Sequence, residues 1–146
     1  METRGAPRRL RGTASWLLGQ TTTHAHRLVS EALGGVGARR YHYSLLAALD
    51  EFGPASQAEL GRRGGLDRSD VVATVNELAA QGHVERRPDR VDKRRNVVTI
   101  TPSGVEHLRE LDRVLRAAQD ALLAPLSAAE RDELARMLTV VLEHHG

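Results

Sequence analysis

Two closely spaced helix starts constrain the fold more than any other feature of this sequence. Ser56 and Glu59 have the spacing of a capping box, so a short helix should begin at Ser56 and end at Gly64–Gly65. A second helix should begin at Asp67, a favourable N-cap, and end before Gly82, which suits the left-handed position beyond a helix. Two helices joined by a short glycine-rich turn are therefore expected in the middle of the chain.

Two runs of strand-forming residues follow the second helix. The sequences HVERR and NVVTIT are typical of strands, and a polar loop separates them, so a β-hairpin of edge character is expected. Between Arg86 and Arg95 the hairpin carries two acids, Asp89 and Asp92, among six basic residues: Arg86, Arg87, Arg90, Lys93, Arg94 and Arg95. This accumulation of like charge indicates either a solvated tip or a surface that takes up an anion.

Helical periodicity predicts four further helices around this segment. One runs from Thr13 to the glycine-rich stretch 34–37, and another spans residues 40–52. A third begins at Pro102 and carries a heptad-like apolar stripe, and a capping box at residues 127–130 opens the last. The predicted fold class is mainly α with a small β-hairpin.

Composition limits the chain to a few classes of protein. Its 146 residues, 40% hydrophobic and 3% aromatic, suit a single domain at 13–146 with an aliphatic core, preceded by a flexible basic arm at 1–12. The absence of cysteine excludes disulfides, thiolate metal sites and thiol-based redox sensing by this chain. No apolar run approaches the roughly 20 residues of a membrane span, and the first residues lack the apolar part of a signal peptide. A cytoplasmic location without a membrane partner is expected.

The order helix, turn, helix and two-stranded ribbon predicts a winged helix-turn-helix, whose second helix enters the major groove of DNA. Ser69, Ala73 and Asn76 point away from the apolar face of that helix, with Arg68 and Val72 on one flank, and this outward face is small and polar. Arg68 is a candidate for a guanine edge, Asn76 for an adenine or a phosphate, and Ser69 for a phosphate. The alternative is an ordinary amphipathic surface helix. The nearby acid Asp70 should face an arginine or cap the helix.

The charged hairpin adds a second candidate contact with DNA. Arg90 and Arg94 have the placement and charge to reach a minor groove, where narrow A·T tracts concentrate negative potential. Asp92 would hold one of these guanidinium groups. The remaining arginines of the hairpin would meet phosphates or stay solvated, and the alternative for the whole loop is a solvated charge run.

The sequence DKRRNVVTIT, residues 92–101, resembles the wing signature D-x-R-x-x-x-x-x-[L/I]-T of the multiple antibiotic resistance regulator (MarR) family. The match runs through Asp92, Arg94, Ile100 and Thr101. It extends over SQAELGRR, LDRSDVVATVNELAAQGHVERR and TPSG, in the order in which the family has them. As a set these motifs are specific, although each one alone is weak.

The resemblance implies an obligate homodimer that binds double-stranded DNA at a pseudo-palindromic operator. It implies dimerisation helices at 13–35 and 102–146 and a DNA-binding head at 40–101, with a recognition helix at 67–81 in the major groove and a wing at 86–96 in the minor groove. The candidate DNA-binding residues are Ser56, Gln57, Arg68, Ser69, Asp70, Ala73, Asn76, Arg86, Arg90, Asp92, Arg94 and Arg95.

One position departs from the family pattern. Many members carry a bulky apolar residue where this chain has Gly64, in the turn between the two DNA-binding helices. We expect the loss of that side chain to leave the small core of the head less filled and the head looser, by about 1 kcal/mol.

MarR-like proteins often bind small aromatic acids between the dimerisation region and the head. The candidate lining residues here are Trp16, His24, Tyr41, His42 and Tyr43, although the aromatic residues are more often simply part of a core. A metal site formed by the terminal and α-helical histidines is not expected, because His24 and His26 point about 200° apart on a helix. No cofactor is expected.

Catalysis has no support, since no nucleophile motif, phosphate-binding glycine loop or pair of buried carboxylates occurs. The predicted function is that of a sequence-specific DNA-binding regulator, in the form of a repressor released by a small aromatic ligand. Two other functions fit the same features. One is a winged-helix module that contacts an acidic protein, and the other is a binder of structured RNA.

Overall fold

The computed structural model describes residues 3–146, so Met1 and Glu2 of the expected arm lie outside the described residues. The helices are α1 (Arg8–Arg11), α2 (Ala14–Gly34), α3 (Arg40–Phe52), α4 (Gln57–Gly64), α5 (Arg68–Ala80), α6 (Pro102–Leu122) and α7 (Ala128–His145). The strands are β1 (Ala55–Ser56), β2 (Val84–Pro88) and β3 (Asn96–Ile100). The chain divides into two compact units. One unit, Val29–Leu115, includes the predicted DNA-binding head at 40–101, and the whole unit is called the head below. The residues up to Leu28 and from Arg116 onward form the other unit.

The two central helices of the head begin and end where the sequence predicts. Ser56 caps α4, because its hydroxyl accepts the backbone N–H of Glu59 at 3.2 Å, and Gly65 ends this helix at φ +63°. Asp67 caps α5 by accepting the N–H of Asp70 at 2.9 Å, and Gly82 follows that helix at φ +79°. Glycine tolerates these positive φ angles without strain.

The capping box expected at α4 is only half formed. The reciprocal bond, from the N–H of Ser56 to the carboxylate of Glu59, is not among the hydrogen bonds of the described residues. The carboxylate of Glu59 instead accepts a hydrogen bond from Arg95 at 3.1 Å. The charged guanidinium of Arg95, from the hairpin, therefore binds the Glu59 carboxylate that the local sequence pattern assigns to the start of α4.

The sheet has three strands in the order β1-β3-β2, all antiparallel. Val98 in β3 pairs with Arg86 on one side and with Ala55 on the other. The expectation of a two-stranded edge hairpin is therefore wrong for β3, which is the central strand and is fully buried at Val98. The two-residue strand β1 is too short to carry the alternating pattern that marks a strand in sequence.

The core of the head is aliphatic, as its composition predicts. It is built from residues of every helix and strand in this unit, including Leu46, Val75, Leu78 and Leu111, which are essentially inaccessible to solvent. Among the glycines, Gly104 has the closest backbone neighbour. A Cβ atom at this position would lie 2.1 Å from the carbonyl oxygen of His83. Only glycine fits where α6 begins against the turn after α5.

Leu66 is the side chain nearest to Gly64. A Cβ atom at this position would lie 3.3 Å from Cγ of Leu66, whose side chain is partly buried against the core of the head. Leu66 therefore lies next to Gly64 in this turn, and the expected loss of about 1 kcal/mol from the missing side chain stays a prediction.

The second unit leaves much of its apolar surface exposed. Ala118 is the buried apolar residue of its described part, and α7, opened by the predicted capping box at Ser127 and Glu130, has none. The large apolar side chains exposed in this unit are Leu10, Leu17, Leu18, Met137, Leu138, Val140, Val141 and Leu142. Two short helical turns, Thr3–Gly5 and Arg8–Arg11, occupy the segment for which a loose arm is expected.

Candidate nucleic-acid interface

A concave surface lies between the N-terminal ends of α4 and α5 and the wing, residues 86–96. It encloses a groove of about 910 Å³. The groove is lined by Ser56, Gln57, Ala58, Gly61, Arg62, Gly65, Leu66, Arg68, Val71, Arg94, Arg95 and Asn96. Helix and hairpin residues separated by some thirty positions in the sequence therefore face the same groove.

The outward face of α5 is a second shallow depression of about 510 Å³. It is lined by the three residues that the helical periodicity places on that face, Ser69, Ala73 and Asn76, and by the two on its flank, Arg68 and Val72. Val71, Val75 and Leu78 on the opposite face are buried. The amphipathic arrangement of α5 is confirmed, and the small side chains leave room for another molecule to approach the helix closely.

The first turn of α5 is stabilised by its own polar side chains. Asp67 accepts hydrogen bonds from the N–H of Asp70 and from the hydroxyl of Ser69, the latter at 2.8 Å, and both lower the pKa of the Asp67 carboxyl. Because its proton points at Asp67, the Ser69 hydroxyl presents only lone pairs outward, which does not suit the predicted contact with a phosphate.

Asp70 behaves differently from one of the two expectations. No arginine pairs with its carboxylate within the part of the chain that the structure describes. It lies in the first turn of α5, where a negative charge is favourable because the N-terminus of a helix carries a partial positive charge.

The wing tip is held by aspartates. Asp92 accepts hydrogen bonds from both the backbone N–H and the Nε of Arg94, at 3.1 and 3.2 Å, so the expected contact between them is present. The contact uses one guanidinium nitrogen, Nε, and not the two parallel hydrogen bonds that a carboxylate and a guanidinium can form. Asp89 accepts the N–H of Val91 and donates its own N–H to the carbonyl of Arg95. These bonds give a loop of small polar turns a defined shape.

Three of the predicted phosphate contacts are engaged within the protein. Arg86 donates to Gln57 and Asn76, Arg87 pairs with Glu85, and Arg95 pairs with Glu59. Their guanidinium groups are therefore not simply solvated, although solvation was one of the two expectations for them. Arg94 is also held, by Asp92, but its side chain remains 92% exposed.

Other cations of this surface have no partner. Within residues 3–146, the exposed side chains of Arg68, Arg90 and Lys93 make no hydrogen bond or ion pair. Lys93 was not among the predicted site residues, although it stands between Asp92 and Arg94 in the quoted signature. Val91, also missed, is an apolar side chain held at the wing tip with 95% of its surface exposed. The sequence signal for both was their position at the centre of the hairpin loop.

The candidate ligand residue His42 has both ring nitrogens occupied. Its Nδ1 accepts the backbone N–H of Arg39 at 3.1 Å, and its Nε2 lies 2.6 Å from a carboxylate oxygen of Glu77 in α5. Arg39 also binds Glu77, and together these bonds lower the pKa of the Glu77 carboxyl. Since Nδ1 accepts, the proton lies on Nε2 and is donated to Glu77. His42 thus links α3 to α5.

The other ligand candidates are divided between the two units. The hydroxyl of Tyr43 donates to Asp112 at 2.7 Å, which raises the pKa of Tyr43. The ring of Tyr41 lies 5.4 Å from the guanidinium carbon of Arg40. Trp16 is partly buried and His24 exposed, both in the unit other than the head. Within residues 3–146, no group of three or more histidine and acidic side chains could hold a metal ion.

The helices α3, α4 and α5, the three-stranded sheet and the charged wing together form a winged helix-turn-helix. The sequence profile of the MarR family matches residues 35–95. The HTH-type transcriptional regulator YcgE of Bacillus subtilis is 34% identical over 120 residues, which cover 79% of this chain and 75% of YcgE. This chain belongs to the MarR family, whose members are DNA-binding transcriptional regulators and not enzymes.

Solved structures show the same fold. A mutant MarR from E. coli complexed with operator DNA superimposes with a TM-score of 0.74 at 23% identity, covering 86% of this chain and 91% of MarR. The PcaV regulator from Streptomyces coelicolor, in complex with its natural ligand, gives a TM-score of 0.75 at 24% identity, covering 97% of this chain and 99% of PcaV. None of the helices described in residues 3–146 has the length and apolar character needed to cross a membrane.

Proposed function

We propose that this regulator is a homodimeric repressor that binds a pseudo-palindromic operator, with α5 in the major groove and the wing in the adjacent minor groove of each half-site. The observation that carries the proposal is that three exposed cations without a partner in the described part of the chain lie on the outward face of α5 and at the wing tip. Arg68 lies on the outward face of α5, and Arg90 and Lys93 lie at the wing tip. Cations without a protein partner are free to neutralise phosphates or to donate to base edges.

Each cation has a distinct task in this proposal. Arg68 donates to a guanine edge, since a guanidinium matches the O6 and N7 acceptors of guanine. Arg90 and Arg94 enter the minor groove, and Lys93 contacts a backbone phosphate. The complex of E. coli MarR with operator DNA, which shares this fold, supports the general mode of binding.

Dimerisation is supported by the apolar surface of the second unit. Met137, Leu138, Val141 and Leu142 are 40–74% exposed along α7. Apolar surface of this kind favours association, because burying it removes it from water. A second copy of the chain would cover this surface and would also supply the second head that an inverted-repeat operator requires.

Selection from a random pool of DNA duplexes with the purified chain tests this function. We expect an enriched inverted repeat with half-sites about one helical turn apart, bound roughly a thousandfold or more tightly than random duplex. The affinity should fall steeply with salt. A chain that enriches no duplex, and binds structured RNA or an acidic protein instead, would contradict the proposal and support one of the two other functions.

We also propose that a small aromatic ligand releases the repressor from DNA. Support comes from PcaV, whose structure contains a natural ligand. The single tryptophan, Trp16, offers a direct signal. An aromatic carboxylic acid that quenches its fluorescence and releases bound DNA would support ligand control, whereas a panel of such acids with neither effect would argue against it.

A further inference from the structure

We propose that Arg86 fixes the side-chain amide of Asn76 so that Asn76 offers only hydrogen-bond donors to DNA and selects base edges that carry acceptors. This inference rests on the proposed function, since it requires α5 to lie in the major groove. It makes Arg86 a positioning residue for base recognition rather than a contact to phosphate.

Strand geometry turns Arg86 toward the helices. Side chains alternate between the faces of a strand, so Arg86 shares a face with Val84, which is buried in the core of the head. Its guanidinium is half-buried between two helices. Nε donates to the amide oxygen of Gln57 in α4 at 3.1 Å, and a terminal nitrogen donates to Oδ1 of Asn76 in α5 at 2.6 Å.

The chemistry of the guanidinium leaves one orientation for the amide of Asn76. Arginine carries only donors, so it must face the amide oxygen, and the amide NH2 group must then point away from it. Asn76 is exposed and lines the depression on the outward face of α5 together with Arg68 and Ala73. The two N–H donors of Asn76 are therefore the groups available on the side that faces DNA.

Such an arrangement disfavours the pairing with adenine that asparagine often makes. That pairing needs the amide oxygen to accept from adenine N6 while the NH2 group donates to N7. Here the oxygen is engaged by a positive charge, which disfavours the approach of a second donor. A donor group alone suits the O6 and N7 of guanine or the O4 of thymine, and it is mismatched against the N4 amino group of cytosine.

The substitution Asn76→Asp tests the inference because it replaces the hydrogen-bond donors of this side chain by acceptors. Aspartate still accepts from Arg86 through one oxygen, so the contact with the wing is kept, but it turns an acceptor toward DNA. At one position in each half-site, we expect the preference to move from guanine or thymine to cytosine or adenine, by about tenfold or more. Binding should be measured on the selected operator with all four bases at every position.

Two arginine variants complete the experiment. Arg86→Met keeps the aliphatic stem but removes the donors, so discrimination at the same position should weaken. Arg87→Met is the matched control, because Arg87 pairs with Glu85 and lies on the other face of β2. It should leave the preference unchanged. Thermal unfolding of each variant checks that the head remains folded, and Asn76→Asp decides the matter if Arg86→Met does not fold.

The possible outcomes distinguish a failure of this inference from a failure of the proposed function. If Asn76→Asp weakens every sequence equally, Asn76 contacts a phosphate and the inference is wrong. An unchanged preference at every position would also overturn it, because Asn76 would then make no base contact. If the wild-type chain itself prefers no duplex, the proposed function fails first.

Discussion

Replacing Gly104 by alanine should destabilise the head by about 3 kcal/mol, the upper part of the range for overpacking a core. The new Cβ would lie 2.1 Å from the carbonyl oxygen of His83 and 2.8 Å from Cγ1 of Ile100. The first of these atoms belongs to the backbone and cannot move aside as a flexible side chain can. We expect α6 to be displaced from the turn that follows α5.

Hydrogen bonds make that turn difficult to move. The carbonyl of His83 accepts the N–H of Thr101 at 3.1 Å, and the hydroxyl of Thr101 donates to the carbonyl of Gly82 at 2.7 Å. The same hydroxyl accepts the N–H of Gly104 at 3.0 Å. Since the turn follows α5, which we propose to lie in the major groove, Gly104→Ala should also weaken DNA binding without altering any residue of the proposed interface.

Denaturant-induced unfolding measures the effect on stability. Gly34→Ala is the matched control in the same unit, because a Cβ there meets no heavy atom within 4 Å. We expect this control to change the free energy of unfolding by no more than about 0.5 kcal/mol. Equal stability of the two variants would show that α6 does not approach the turn this closely in solution.

Replacing Arg94 by alanine should weaken binding to an operator with A·T-rich flanks by about tenfold. Arg94 is 92% exposed at the wing, and Asp92 holds its guanidinium in a defined direction. A narrow A·T minor groove attracts such a group because its negative potential is enhanced. Replacing the flanks by G·C pairs should reduce the binding of the wild-type chain more than that of Arg94→Ala.

Arg109→Ala provides a control with the same change in net charge. Arg109 is exposed on α6, outside the groove and the wing. We expect the slope of log affinity against log salt to fall by about one for Arg94→Ala and to stay unchanged for Arg109→Ala. Equal losses of affinity in the two variants would mean that the wing makes no contact beyond its general charge.

Local sequence signals were sufficient for the helices of the head. Serine and aspartate caps and positive-φ glycines act within a few residues of each helix end, and they placed α4 and α5 correctly. The strand β1 could not be found in this way, because Ala55 and Ser56 become a strand only by pairing with β3. The contact of Leu66 with the turn at Gly64 likewise depends on tertiary packing.

The hydrogen bonds and ion pairs of the site were less predictable from the sequence than the helices. Glu59, Glu77 and Asn76 bind arginines or a histidine far away in sequence, so no local spacing could have assigned Arg95, His42 or Arg86 to them. One signal was nevertheless available for Arg86. It follows the buried Val84 by two residues, and strand alternation turns such a residue toward the core rather than the solvent.

Methylation interference on the selected operator tests the central claim most directly, because one reagent marks both grooves. Dimethyl sulfate methylates guanine N7, which lies in the major groove, and adenine N3, which lies in the minor groove. We predict interference from guanine N7 within each half-site, where α5 binds, and from adenine N3 in the flanks, where the wing enters. Arg94→Ala should lose only the second. Interference in one groove alone, or an unchanged adenine pattern with Arg94→Ala, would contradict the joint use of helix and wing.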